Sequence, residues 1–336
     1  AGYRYTRENK TLERVLGFSP VAGGPFAYYI PEGFTTPEAT FSAGTPLASV
    51  AWAFSERMNV YLRYAEGFKS GGYNGEYSDI TRTPEENQAE TLVPFKPERQ
   101  KSLELGAKGV FFDGRLSANL ALFRNKLEDL QISIFTGGGA AASVIRNAGK
   151  GTAQGAELET VLLLFDRTQL RLSYAFLDAE YDEFIDTDAE GNVGNQADNR
   201  AFVHAPEHSA NAVIDSLLWE TARGGLRAVV DYAWTDAIYL YPYQLARPGE
   251  AGYNDQKQQA DNTRVEAHGL LNARLSWSGL PLFGDAQLDV ALWGRNLLDE
   301  DTASNFIDFG PGLFQNLTVA NFVEPRSYGL SAQLRW

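Results

Sequence analysis

The 336 residues include no cysteine and only one methionine. Without cysteine there are no disulfides, no thiolate metal sites and no cysteine nucleophile. No run of about 18 apolar residues occurs, so no membrane-spanning helix is available. No Lys/Arg-rich run exists to track phosphates, and the net charge is −14, so nucleic acid is excluded as a partner. No long segment repeats apolar residues at i, i+3, i+4 and i+7, which removes an amphipathic helical core. No leader is visible before Ala1, where "AGYRYTREN" already reads as a strand. The expectation is that a segment precedes it.

What is present is alternation with a period of two. The chain closes on "RSYGLSAQLRW", with Tyr328, Leu330, Ala332, Leu334 and Trp336 on one side and Ser327, Gly329, Ser331, Gln333 and Arg335 on the other. The same pattern sets Leu226, Ala228, Val230, Tyr232 and Trp234 against Arg227, Val229 and Asp231. About twelve such segments are expected, near 2–8, 46–55, 59–68, 100–112, 115–126, 152–165, 169–181, 208–219, 225–235, 268–278, 286–295 and 327–336. Many approach ten residues, longer than an ordinary strand. Between them short turns such as "FDGR" alternate strictly with long connections, about 11–45, 69–99, 127–151, 182–207, 236–267 and 296–326. All elaboration therefore falls at one end of the ribbon, and loops of that length are usually functional.

Two architectures fit. One is a sandwich with a wet face. The other is an all-β transmembrane antiparallel up-and-down barrel, apolar outside and polar inside. The barrel explains more. Arg63, Glu104, Lys108, Glu157, Glu159, Arg171, Arg227, Asp231, Arg274, Asp289 and Arg335 all fall opposite the apolar stripe and are expected to face the lumen. Tyr64, Tyr232, Trp234 and Trp277 sit near strand ends on the apolar face, where interfacial girdles belong.

Several segments resemble a known family. "YLRYAEGFKSGGYN" (61–74), "FKPERQKSLELGAKGVFFDGRLSANLALFRNKLEDLQ" (95–131), "NAGKGTAQGAELE" (147–159), "APEHSANAVI" (205–214), "LWGRNLLDE" (292–300) and "PRSYGLSAQLRW" follow one another as in the C-terminal part of TonB-dependent outer-membrane receptors. The resemblance spans nearly the whole chain. It implies that residues 1–336 are the C-terminal part of one barrel domain, the last twelve of 22 strands, in the bacterial outer membrane. The plug domain, the Ton box and the early strands would be missing from this chain. The resemblance also implies that Tyr328, Leu330, Leu334 and Trp336 form a C-terminal assembly signal, with Ala332 a weaker match. The implied activity is TonB-driven import of a scarce ligand, most often an iron–siderophore complex. Cobalamin, haem and glycans stay open as ligands, and neither enzyme activity nor a cofactor is implied. The implied partners are the TonB complex, acting through the missing plug and Ton box, outer-membrane lipid and lipopolysaccharide, and a metal chelate or other small ligand. A passive porin or surface-binding barrel is the alternative, and an outer-membrane hydrolase a weaker one.

Candidate sites follow residue chemistry. Tyr239, Tyr241, Tyr243 and Arg247 fall in one long connection and Phe306, Phe309 and Phe314 in the last. Tyrosine and arginine give large contacts with a polar handle, suited to an anionic chelate. "DTDAEGN" (186–192) begins like a calcium loop but has Ala197 where a bidentate carboxylate belongs, and reads as a solvated acidic turn. "GKGTAQG" (149–155) lacks the Lys-Ser/Thr of a phosphate loop and reads as flexible loop leading into a strand. His204, His208 and His268 are too scattered for a metal centre, and adjacent Asp299 and Glu300 point apart.

Overall fold

The computed structural model describes residues 1–13, 36–75, 84–135, 143–147, 149–188, 190–310 and 317–336. Twelve long strands run as an antiparallel meander, each paired with the next in the chain. They are β1 (Gly2–Thr11), β2 (Glu38–Ser55), β3 (Met58–Lys69), β4 (Glu98–Phe111), β5 (Leu116–Glu128) and β6 (Gly149–Phe165). They continue as β7 (Thr168–Thr187), β8 (His208–Thr221), β9 (Gly224–Thr235), β10 (His268–Pro281), β11 (Gln287–Arg295) and β12 (Ser327–Arg335). The expected alternation of short turns and long connections is observed throughout.

The two faces are sorted as lipid demands. Val50, Leu62, Leu105 and Leu122 stand directly opposite one another across four strands. Leu103 and Leu105 are each 50% exposed. A sandwich would bury this stripe under a second layer, but the strands form one long sheet whose apolar face lies open. Exposed aromatics edge that face at both levels: Trp52, Phe54 and Trp219 toward the short turns, and Tyr64, Tyr174 and Tyr328 toward the long loops. Some aromatics lie across a glycine of the adjoining strand. A Cβ at Gly269 would collide with the Tyr232 ring, so glycine there is what lets the girdle residue lie flat.

Asp113–Gly114 turns the β4–β5 hairpin with positive φ at both residues, 53° and 91°. Other boundaries depart from expectation. β2 begins at Glu38, β6 at Gly149 and β7 ends at Thr187, each extending farther toward the long loops than the alternation indicates. Beyond the lipid, pairing continues without a greasy face, so period-two hydrophobicity no longer reports it. The glycine-rich stretch 149–155 is thus strand, not flexible loop. At Gly155 the neighbouring Phe176 carbonyl leaves no room for a Cβ. The second long connection also holds a short helix, Pro84–Leu92. Proline suits its first turn, but nine mostly polar residues show no apolar stripe to read.

The sheet is open. β1 pairs with β2 alone and β12 with β11 alone, and no ladder joins β1 to β12 among the described residues. Residues 48–55 of β2 therefore pair on the β3 side only.

Candidate ligand-binding site at the long-loop end

The face opposite the apolar stripe carries a series of charged residues. Arg63 lies directly opposite Glu104 and 3.9 Å from it. The Tyr61 hydroxyl donates to Glu104 at 2.6 Å, and the Lys108 ammonium sits 5.8 Å from the Tyr61 ring centre. Glu157 and Glu159 join Tyr61, Glu104, Lys108 and Asn119 around a concavity of about 390 Å³. Farther round, Arg227 Nε donates to Asp215 at 2.6 Å, Asn272 donates to Asp231 at 2.7 Å, and Arg335 meets Asp289 at 2.5 Å. Arg171 Nε reaches Gln169 at 2.8 Å, and Arg274 stands in register with Val229 and Trp293. Asp215 was not among the expected lumen residues; it shares their face because Val213, two residues before it on β8, lies opposite Asp231.

Above the wall the long connections fold onto one another. Short strand pairs build them: Gln131–Phe135 with Ser143–Asn147, Ile238–Tyr239 with Arg264–Val265, and Ala303–Asp308 with Thr318–Phe322. One small core gathers Ile132, Tyr181 and Phe184; another gathers Ala201, Tyr243 and Ala260.

The seven expected loop residues divide. Tyr241 and Tyr243 stack with ring centres 5.1 Å apart, and the Tyr241 hydroxyl donates to the Phe306 carbonyl at 3.3 Å. Two connections distant in sequence thus meet. Tyr243 is only 6% exposed, and burial pushes its hydroxyl well above the usual phenol range. It supports the site from beneath and does not line its surface. Tyr239, half-buried, borders a separate recess with Phe176, Phe202, Asp236 and Arg264. Arg247 is exposed, and its Nε donates to Asp261 at 2.8 Å, so its charge is already answered within the loop. Phe309 lies half-buried beyond the Ala303–Asp308 strand, and Phe314 lies outside the described residues.

Three further features depend on contacts that only the fold brings together. Asp186 receives Arg200 at 2.6 Å and Lys257 at 2.5 Å. Arg200 is 6% exposed, and burial pulls the Lys257 ammonium below its ordinary range. Gln244 is fully enclosed: its amide donates to the Asn254 and Lys257 carbonyls at 2.7 and 3.1 Å and accepts from the Asn254 N–H at 2.9 Å. Asn296, in the "GRNLLDE" segment, is 3% exposed with φ 48°. Its side chain donates to the carbonyls of Glu300 and Glu324 at 2.7 and 2.9 Å and accepts from the Glu300 N–H at 2.8 Å. It staples the exit of β11 to the approach of β12.

The other polar motifs serve local structure. Asp188 accepts from the N–H groups of Glu190 and Asn192 at 3.0 and 2.8 Å, making the acidic stretch a turn. His208 Nδ1 lies 2.8 Å from the Tyr174 hydroxyl, and His268 Nδ1 lies 2.9 Å from the Glu266 carbonyl. Asp299 pairs with Arg326 at 2.9 Å, while Glu300 turns to Thr302.

A meander greasy on its outer face, charged on its inner face and elaborated at one end is the wall of an outer-membrane β-barrel receptor. Over residues 1–297 the chain matches the family described as TonB dependent receptor-like, beta-barrel, and it belongs to that family of outer-membrane transport proteins, which are not enzymes. It is 26% identical over 290 residues to the ferric-pyoverdine M114 receptor PbuA of Pseudomonas sp. (strain M114), covering 86% of this chain and 29% of that protein. A ferric-pyoverdine 358 receptor of Pseudomonas putida is 35% identical over 86 residues, 26% of this chain and 9% of that protein. The chain thus spans under a third of the length of these relatives. Among solved structures, the ferric yersiniabactin uptake receptor FyuA of Yersinia pestis superposes with a TM-score of 0.61 at 17% identity, covering 88% of this chain and 38% of that one. The ferric-catecholate import receptor Fiu of E. coli K12 gives 0.60 at 18% identity, covering 93% and 39%.

Proposed function

We propose that this chain is the C-terminal twelve-strand part of a 22-stranded receptor that captures an iron–siderophore complex with its outer loops and imports it with energy from the TonB complex. The observation that carries the reading is the convergence at one end of the meander. There the stacked Tyr241–Tyr243 pair and Phe306 bring two long connections together over a charged inner wall. Half-buried Tyr241 and Phe306 offer aromatic surface there, which suits a compact chelate. The names of PbuA and the Pseudomonas putida relative, both ferric-pyoverdine receptors, point to the same ligand class. The free edges of β1 and β12 support the larger barrel, because lipid cannot satisfy an unpaired strand edge. A plug and Ton box on the same polypeptide would couple the barrel to TonB.

The test is growth of the producing bacterium, with and without the gene, on individual iron chelates as sole iron source. The expected result is loss of growth on one chelate and recovery with ferrous salt. Equal growth of both strains on every chelate, including ferric pyoverdines, refutes siderophore uptake and leaves the porin-like reading.

A further inference from the structure

We propose that Asp186 is a positioning residue that fastens the connections 182–207 and 236–267 into one rigid body, so that the Tyr241–Tyr243 pair is held in place before any ligand arrives. Asp186 belongs to β7, which continues past its last pairing with β6 and is joined there by the short strand Val193–Asn195. The fastening therefore starts from the top of the wall and not from a loop tip. Asp186 Oδ1 accepts the Thr187 N–H at 2.8 Å, while Oδ2 receives both cations, Arg200 from the first connection and Lys257 from the second. Arg200 also donates to the Asn199 carbonyl at 2.7 Å and lies 5.5 Å from the Phe184 ring centre. The Arg200 side chain is 3% exposed and that of Lys257 23%. Charges so covered are screened little by salt, and removing one partner leaves the other unanswered. The exposed Arg247–Asp261 pair, inside a single connection, holds far less.

The backbone repeats the join. Arg200 and Gln244 form an antiparallel bridge, flanked by the Ala201 N–H on the Tyr243 carbonyl at 3.1 Å and the Leu245 N–H on the Asn199 carbonyl at 3.3 Å. The His204 N–H reaches the Tyr239 carbonyl at 2.9 Å. Asn199 donates to the Gly252 carbonyl at 3.0 Å and accepts from the Ala246 N–H at 2.7 Å, and Asn254 donates to the Asp188 carbonyl at 3.0 Å. The stretch that carries Tyr241 and Tyr243 is thus pinned on both sides of the pair. A surface fixed in advance binds without the cost of ordering it. What that surface binds rests on the siderophore reading; its rigidity does not, and is measured without ligand.

The experiment is hydrogen exchange of the full-length receptor in detergent. Lys257→Met keeps the reach of the side chain and removes its charge. Amides throughout both connections should then exchange together, about tenfold faster, as for one lost charged hydrogen bond, and Lys257→Arg should restore the wild-type rate. Arg200→Cys with Gln244→Cys offers a covalent substitute. The bridge is of the non-hydrogen-bonded kind, with Cα atoms about 4.5 Å apart, within disulfide reach, and this chain has no other cysteine. The oxidised variant should exchange like wild type in both connections, and the reduced one faster in both. Heat-modifiable mobility shows that the barrel is folded in every case. Unchanged exchange in folded Lys257→Met, or a rise confined to the neighbours of residue 257, overturns the fastening. So does a reduced cysteine variant as slow as wild type, or a disulfide that protects one connection alone.

Discussion

Replacing Asn296 with alanine should unfasten the last long loop without disturbing the barrel wall. The wild-type side chain makes three hydrogen bonds, to the Glu300 carbonyl, the Glu300 N–H and the Glu324 carbonyl, at a site 3% exposed. At about 1 kcal/mol net for each, their loss costs roughly 3 kcal/mol. Asn296 also holds a left-handed backbone, φ 48°, which alanine tolerates less well, adding about 1 kcal/mol. Asn296→Gly separates the two effects, since glycine accepts the backbone but cannot make the bonds. The loss should concentrate in residues 297–326, because the β11–β12 ladder itself is untouched. The assay is hydrogen exchange of the detergent-solubilised protein, with heat-modifiable mobility as the control for the barrel. Faster exchange confined to 297–326 is expected, larger in the alanine variant than in the glycine variant. If both variants exchange like wild type, the staple carries no weight and the reasoning from buried hydrogen bonds fails here.

Two further substitutions probe other levels of the structure. Leu105→Arg, on the lipid face, should cost about 2–4 kcal/mol in bilayer unfolding titrations, whereas Lys108→Leu on the lumen side should change stability by far less; equal costs would mean the faces are misassigned. Trp336→Ser should lower the amount inserted in outer membrane while leaving ligand preference unchanged, since Trp336 is 92% exposed and follows β12 at the short-turn end; unchanged heat-modifiable levels would remove the assembly-signal role.

The lipid-facing stripe through Leu105 and the staple at Asn296 draw on different kinds of information. The period of two that puts Leu105 on the greasy face is local and visible in the sequence. Asn296 was visible as part of a family-like segment, yet its role depends on Glu324, which lies 28 residues away and on the far side of a loop.

The amino-acid sequence by itself determined the twelve strands, their order and the end at which the loops gather. That is because a strand flanked by lipid and water must alternate, and alternation is written locally. Tyr243, by contrast, reads in the sequence as a contact residue and in the fold as buried support, and Arg247 as a free cation where Asp261 already meets it. The meeting of Asp186 with Arg200 and Lys257, the enclosure of Gln244 and the open edges at β1 and β12 were likewise decided only by tertiary structure. Above the bilayer no solvent boundary imposes a period, so which side chain is covered depends on loops that are strangers in sequence and neighbours in space.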